Sequence, residues 1–390
     1  MNSLSLVLFI ICVCSNIYHL LTVFCGAIFR LRQDGNNSCN DWPKVACLKP
    51  LCGRDAGIYE NLVSFVEQDY PDYEIILGTA DEQDPAYKTA QSLRRSYSSN
   101  NIKVVSGELG AGTNRKVRNL KNIYSHVSPD ADFLVLSDSD IRVTRDYLKS
   151  IIAPFCLNPD IGAVTSVYRV ENILSPGDLL EALSVEATFV PGVLVSAAFS
   201  DLKFAFGASV VMDRSAFLNA GGFDAIEDYL ADDYKIGNII HKSGKRVILS
   251  HYVVSIISSG QGLMDALVHL LRWSRTVRIC EPVGYLFSGI CHSTFWALAL
   301  FFATGADSLG WGMLGGTCVV RILGAAAVSA SLRSSGGIFR AFLTPIWDLI
   351  SICIWLTGLV GNRVVWRGTK YRIFPDGRMA KSYNRNEQDK

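Results

Sequence analysis

The sequence almost lacks net charge: 37 basic residues face 36 acidic ones, for a formal charge of +1 over 390 residues. Such a chain has no whole-molecule field to gather nucleic acid, and no nucleic-acid partner is expected, although basic clusters remain at 269–278 and after 363. It lacks internal repeats and low-complexity tracts, which excludes solenoids and propellers. It also lacks a Walker loop, which excludes the common nucleoside triphosphate cradle. Cys39, Cys47 and Cys52 do not have zinc-ligand spacing and no histidine stands near them, so no zinc knuckle is expected. The eleven cysteines are odd in number and several lie in apolar stretches (Cys12, Cys14, Cys25, Cys291, Cys318, Cys353), where they read as small buried hydrophobes.

From Leu4 to Phe29 no charged residue occurs at all. A helix of that length spans a hydrocarbon core of about 30 Å. The segment has neither a basic n-region nor a small-x-small cleavage site, so it reads as a retained anchor rather than a cleaved signal. Arg30 and Arg32 follow it, and the positive-inside rule then places the next domain in the cytoplasm. On that placement the sequon Asn36-Asn37-Ser38 is inert. A cytoplasmic domain on a retained anchor suits a bacterial inner membrane, or alternatively the cytosolic face of the ER or Golgi.

What is present from about residue 44 to residue 250 is an alternation of short apolar runs and helical patterns, the sign of an α/β layer with a mainly parallel sheet. Strands are expected at Val45–Pro50, Tyr73–Thr79, Ile102–Ser106, Phe133–Ser137, Ala163–Val167, Ala208–Met212 and Arg246–Leu249. Helices are expected at 57–68, 86–97, 115–126 and 232–242. The stretch 179–199 is apolar but broken by Glu181, Glu186 and Pro191, and reads as an interfacial helix lying on the membrane. Three more apolar segments follow near 283–304, 309–331 and 341–360. Arg321 and Asp348 fall in or at the edges of these, where they pair, line a lipid channel, or snorkel to a helix end. Four spans would return the basic tail (Arg363, Arg367, Lys370, Arg372) to the outer side, so one segment is expected to be re-entrant or interfacial. The resulting division is an anchor at 1–30, a catalytic domain with interfacial helices at 31–280, and membrane segments with a basic cytoplasmic tail at 281–390. The last residues, 382–390, read as a polar tail.

In an open α/β sheet the ligand crevice lies at the carboxyl ends of the strands. Asp81, Asp84, Asp138 and Asp140 all fall there. Asp138-Ser139-Asp140 sets two hard oxygen donors two residues apart, suited to a Mg or Mn ion that bridges a diphosphate; a lone triplet of this kind also serves as a turn or cap. The acidic run Asp81-Glu82-Gln83-Asp84 offers carboxylates to a nucleoside, or else a solvated loop. Asp232-Asp233 opens a helix, where capping accounts for one carboxylate; two adjacent acids in a cleft oppose joint ionisation, which suits Asp233 to general-base work. His269, Arg272 and Trp273 share one helical face, an apolar platform beside an anion clamp, or a membrane-interface belt. Gly110-Ala111-Gly112-Thr113-Asn114-Arg115-Lys116 leads into a helix and can bring Lys116 to a phosphate.

In order, Asp84, Asp138-Ser139-Asp140, Asp232-Asp233-Tyr234 and His269-x-x-Arg272-Trp273 resemble the D, DxD, D, (Q/R)xxRW series of inverting GT-A glycosyltransferases. The segments Leu48-Lys49-Pro50-Leu51, Asp69-Tyr70-Pro71, Asp138-Ser139-x-Ile141-Arg142-Val143 and Trp366-Arg367-Gly368-x-x-Tyr371-Arg372 make the chain similar, over nearly its whole length, to ceramide glucosyltransferases and their bacterial hopanoid-associated branch. His269 departs from the usual Gln or Arg and is typical of the bacterial branch. The resemblance implies a GT-A Rossmann-like sheet with helices on both faces, and transfer of one sugar with inversion. The donor would be a UDP-sugar carrying glucose or N-acetylglucosamine. The acceptor would be the hydroxyl of a membrane lipid, ceramide or hopanoid, with a divalent cation (Mg or Mn) as cofactor. In that scheme Asp233 is the base, Asp138 and Asp140 hold the metal, Arg272 steadies the departing diphosphate beside His269 and Trp273, and Asp84, Asp81 and Lys116 bind the donor. A processive polysaccharide synthase shares these motifs but needs a larger membrane conduit. A dead scaffold would be expected to have lost one of the carboxylates, and a transporter leaves the large α/β domain unexplained.

Overall fold

A computed structural model describes residues 2–33 and 39–382; the sequon at 36–38 and the tail 383–390 lie outside the described residues. The chain divides into two compact units that interleave along the sequence: one takes in 1–34, 169–199 and 260–376, the other 35–168, 200–259 and 377–390.

The second unit is built on a seven-stranded sheet of β1 (Val45–Pro50), β2 (Tyr73–Thr79), β3 (Ile102–Ser106), β4 (Phe133–Leu136), β5 (Ile161–Thr165), β6 (Val210–Asp213) and β7 (Arg246–Leu249). Its order is β3-β2-β1-β4-β6-β5-β7. All neighbours run parallel except β6, which is antiparallel to β4 and β5. The parallel strands read as continuous apolar runs because helices cover both faces, and every residue of β1 is buried. Local chemistry fixes the helices between them. Asp84 accepts the Ala86 N–H at 2.9 Å and Pro85 takes the first helical position, starting Pro85–Ser96. Asn114 does the same for Arg115–Tyr124 through the Val117 N–H. The strands thus stop where polar side chains take over the backbone, and their carboxyl ends carry the acidic motifs.

The first unit is mainly helical, its basic stretch 363–373 forming an antiparallel hairpin of Arg363–Trp366 and Thr369–Ile373. Ser3–Arg32, Pro176–Phe199, Ser308–Ser331 and Gly337–Gly358 are long and apolar enough to cross a membrane, and Pro282–Cys291 with Ser293–Ala303 forms a pair bent by 58°, a broken span or a re-entrant loop. The stretch expected to lie at the interface, 179–199, is thus part of a 24-residue helix that meets the length and composition of a span. Its start is fixed by a capping box between Ser175 and Asp178. The acids that interrupt its apolar run are buried and bonded within the unit: Gln261 donates to Glu181, and Arg340, Ser329 and Ser334 donate to Glu186. A π turn at Val185–Phe189 sits between its two halves. Helices Ser3–Arg32 and Ser308–Ser331 approach closely at Gly324, where a Cβ would come within 2.9 Å of Thr22 Oγ1. Arg321 and Asp348 pair with each other: Arg321 Nη2 and Nε reach Asp348 Oδ1 at 2.9 and 3.0 Å, both side chains being about 2% exposed or less.

Cys39, for which spacing argues only against a zinc site, is joined to Cys156 by a disulfide that closes a separation of 117 residues. No local spacing announces such a bridge, because the sheet decides which distant residues meet. Of the cysteines expected to be small buried hydrophobes, Cys12 and Cys25 are buried and Cys291 and Cys318 half-buried, but Cys14 and Cys353 are exposed, since each lies on the outer face of its apolar helix.

Candidate active site

The acidic motifs of the sheet unit converge at the carboxyl ends of β1, β2 and β4. After β4 the chain turns through Asp138-Ser139-Asp140. Lys116, in the first turn of its helix, reaches Asp138 Oδ1 at 2.7 Å and Asp232 Oδ2 at 3.3 Å, so one ammonium links two acids 94 residues apart in sequence. These carboxylates raise the Lys116 pKa against the opposing effect of burial. In the loop before it, the N–H groups of Thr113 and Asn114 donate to Asp228 Oδ1 and the Glu227 carbonyl at 2.9 Å each. Gly112 is required there, since a Cβ would meet Glu227 at 2.5 Å. Lys116 is presented by the first turn of its helix.

Asp232 and Asp233 occupy the first turn of Asp232–Lys242. Asp233 is raised to about 6, by burial first, then by Asp232, with Lys116 opposing. Asp140 is raised to about 7, by burial first, then by Asp138 and Asp55. Both values follow from crowding carboxylates where water is scarce.

At the end of β2, Asp81 Oδ1 accepts the N–H groups of Gln83 and Asp84 at 2.8 and 3.0 Å, closing the turn. Asp84 accepts the Gly53 N–H at 2.9 Å as well as capping its helix. It thereby ties the loop after β1 to the turn after β2, beside a cleft lined by Gly53, Arg54, Ile58, Gln83, Pro85 and Lys88. The two acids expected to meet a nucleoside thus brace the loops that carry the lining residues Gly53 and Gln83.

Two residues of the cluster were not anticipated. Lys49, the penultimate residue of β1, is fully buried and donates to the Asp138 carbonyl and to Ser137 Oγ, 3.3 Å away. Burial pulls its pKa down to about 7, while Asp138, Asp140, Cys47 and Asp55 act in the opposite sense. Asp55, in the loop after β1, accepts the Ser139 hydroxyl. The signal that would have found both is position: like the motif acids, they sit at or just after a strand's carboxyl end.

His269, Arg272 and Trp273 belong to the other unit, on the helix Leu263–Cys280. The imidazole meets the indole edge-on, with centroids 4.4 Å apart. Burial, then the Arg272 charge, lowers the His269 pKa to about 3, which keeps the ring neutral. Leu270 and Trp273 pack with Leu180, Leu183 and Trp347 of neighbouring helices.

Among the described residues no three His, Cys, Asp or Glu side chains form a metal cage. Asp138 and Asp140 nevertheless fit a divalent cation that arrives with a diphosphate. Such a cation needs only one or two carboxylates, the phosphates and waters completing its shell. Asp140 Oδ1 is buried and has no hydrogen-bond partner, a lone pair that a cation would satisfy.

Over residues 7–379 the chain matches the pattern of glycosyl transferase family 21. It is 22% identical over 355 residues to ceramide glucosyltransferase 1 of Caenorhabditis elegans, covering 88% of this chain and 74% of that one. It is 24% identical over 232 residues to ceramide glucosyltransferase 3 of the same organism, covering 59% and 50%. Among solved structures, the mannosyltransferase PcManGT from Pyrobaculum calidifontis, in complex with GDP-Man and Mn2+, superposes with a TM-score of 0.52 at 16% identity, over 90% of this chain and 97% of that chain. This likeness is one of fold and confirms the GT-A sheet expected from the motif series. With nearly the whole chain inside the family pattern, the protein belongs to glycosyl transferase family 21, the ceramide glucosyltransferase family.

Proposed function

We propose that the chain is an inverting glycosyltransferase that moves one sugar, glucose or N-acetylglucosamine, from a UDP-sugar to the hydroxyl of a membrane lipid of ceramide or hopanoid type. The observation that carries this reading is the cluster at the carboxyl end of the sheet where Lys116 reaches both Asp138 and Asp232: the Asp138–Asp140 turn with its orphaned oxygen and, next to Asp232, Asp233, a carboxyl raised to about 6. A base near that value is ionised at neutral pH yet still basic enough to take a proton from an attacking hydroxyl.

Asp233 accepts the proton of the acceptor hydroxyl as that oxygen attacks the anomeric carbon from the face opposite the diphosphate. Asp138 and Asp140 would hold a Mg or Mn ion, which would supply positive charge to the leaving diphosphate. Lys116 links Asp138 to Asp232 and brings a second positive charge to the same place. Arg272 adds a guanidinium suited to phosphate oxygens, with His269 and Trp273 as an apolar wall beside it. Asp81 and Asp84 shape the nucleoside cleft. The apolar helices bring the acceptor from the membrane, with the sheet unit on the cytoplasmic side, where nucleotide sugars are made.

The test is UDP release by the protein in detergent. UDP-glucose and UDP-N-acetylglucosamine are each offered with ceramide or bacteriohopanetetrol, with and without Mn2+, beside Asp233→Asn. Release that needs lipid, cation and Asp233 supports the reading and names both substrates. Absence of lipid-stimulated release under every condition overturns it in favour of a polymer synthase or a scaffold.

A further inference from the structure

Lys49 is a lysine in the middle of a sheet, and none of its three contacts is a carboxylate oxygen. Its ammonium meets the Asp138 carbonyl, Ser137 Oγ and the face of Phe65, 3.8 Å from the ring centroid. Burying an ammonium without an ion-pair partner is unfavourable, and an apolar side chain would fill a strand position beside Leu77 and β4 at no such cost. The compensation comes from the turn after β4: the charge bonds to the backbone of the first acid of Asp138-Ser139-Asp140, and Asp140 and Asp55 lie close enough to act on it. The same turn is gripped from its other side, where Ser139 donates to Asp55 and its carbonyl accepts from Asn61 Nδ2 at 3.2 Å. Asn61 in turn accepts from Arg142 Nε at 3.0 Å.

We propose that Lys49 is a positioning residue for the donor's cation: its Nζ fixes the Asp138 backbone and so holds the carboxylates of Asp138 and Asp140 in place to receive a divalent metal. This inference rests on the reading that those two acids hold the cation. It fixes a sign that simple electrostatics would reverse. A buried positive charge repels a metal, so on charge alone its removal tightens binding; if it holds the turn, removal weakens binding.

Mn2+ is titrated into the full chain in detergent with UDP present, and the free ion is followed by electron paramagnetic resonance. Lys49→Met keeps the length of the side chain and removes the charge. Loss of a group that orients metal ligands lowers affinity by about 10- to 100-fold, and that is the expected result. In turnover the donor KM rises at limiting Mn2+ and returns toward the parent value when Mn2+ is raised, with kcat largely kept, a rescue that general loosening of the sheet would not show. Phe65→Leu, which removes the ring under the ammonium without touching its charge, gives a smaller loss in the same direction. Unchanged or tighter Mn2+ binding in folded Lys49→Met overturns the proposal; if that variant does not fold, unchanged binding in Phe65→Leu does so. Asp140→Asn separates the two levels. If it binds Mn2+ like the parent, the cation-site reading itself falls; if it loses Mn2+ while Lys49→Met does not, only the role of Lys49 falls.

Discussion

Two buried carboxylates, one in each unit, show what separates a structural charge from a working one. Asp348, among the apolar helices, has both oxygens engaged: Arg321 donates to Oδ1 through two nitrogens, and Ser293, Thr294 Oγ1 and the Thr294 N–H all donate to Oδ2 at 3.0–3.1 Å. Arg321 also donates to the Ala187 carbonyl at the π turn, so this pair joins three helices. Asp140, in the sheet unit, keeps a buried oxygen with no partner, and the neighbouring Asp138 is 39% exposed on its side chain although paired with Lys116. A saturated carboxylate has nothing left to offer a ligand, whereas an unsaturated one beside an opening does. Of the roles open to Arg321 and Asp348 from sequence, the structure selects pairing.

The contrast can be broken by substitution. The largest effect is expected from Asp233→Asn, which removes the base and should lower turnover by about 10²- to 10⁴-fold with little change in thermal unfolding. Next is Arg321→Met. Leaving Asp348 buried without its partner should lower stability by about 3–5 kcal/mol, and Arg321→Met combined with Asp348→Leu should restore most of it. Thermal denaturation in detergent reads this, and equal stabilities for the single and double variants would put the pair among the idle charges. Arg272→Ala should lower kcat by about 10²- to 10³-fold, the usual loss for one donor to a developing anion. Full turnover in that variant removes Arg272 from the chemistry.

A smaller effect concerns pH. Asp233 titrates at about 6 instead of the ordinary 3.8, so its proton is on below pH 6 and off above it. Activity that needs the carboxylate should fall as pH drops through about 6 and be level above. A limb that stays near pH 4 would mean Asp233 is not the base. The smallest effect concerns Cys39 and Cys156. Disulfides persist in oxidising compartments, so a sheet unit facing the cytoplasm should carry both as free thiols in cells, pairing only on oxidation. Maleimide labelling of intact cells and lysates reads the state, and a stable bridge in cells would put the unit on the oxidising side.

Much of the sheet was legible because its signal is local. β1, β2, β3 and β7 have the expected bounds, since each is an apolar run closed by a polar or glycine-bearing turn. β4 ends one residue early, at Leu136, where Ser137 turns its hydroxyl to the Ala208 carbonyl. β5 and β6 are offset by about two residues from their expected places, as happens when a continuous apolar run has no period to set its register. In sequence the helix 176–199 reads as an interrupted segment because Glu181 and Glu186 count as charges, while the groups that bond them, Gln261 and Arg340, come from residues 80 and 154 positions away.

The sequence by itself determined the family, the alternation of strands and helices, the apolar helices and the acids at the strand ends, because periodicity, caps and motif spacing are properties of short stretches of chain. Only the tertiary structure decided that Lys116 spans Asp138 and Asp232, that Arg321 closes on Asp348, that Cys39 meets Cys156, and that Lys49 and Asp55 stand under the Asp138–Asp140 turn. Each of these joins residues far apart in the chain, and which charges find partners and which are left open to a ligand is settled only when the strands and helices that carry them are packed.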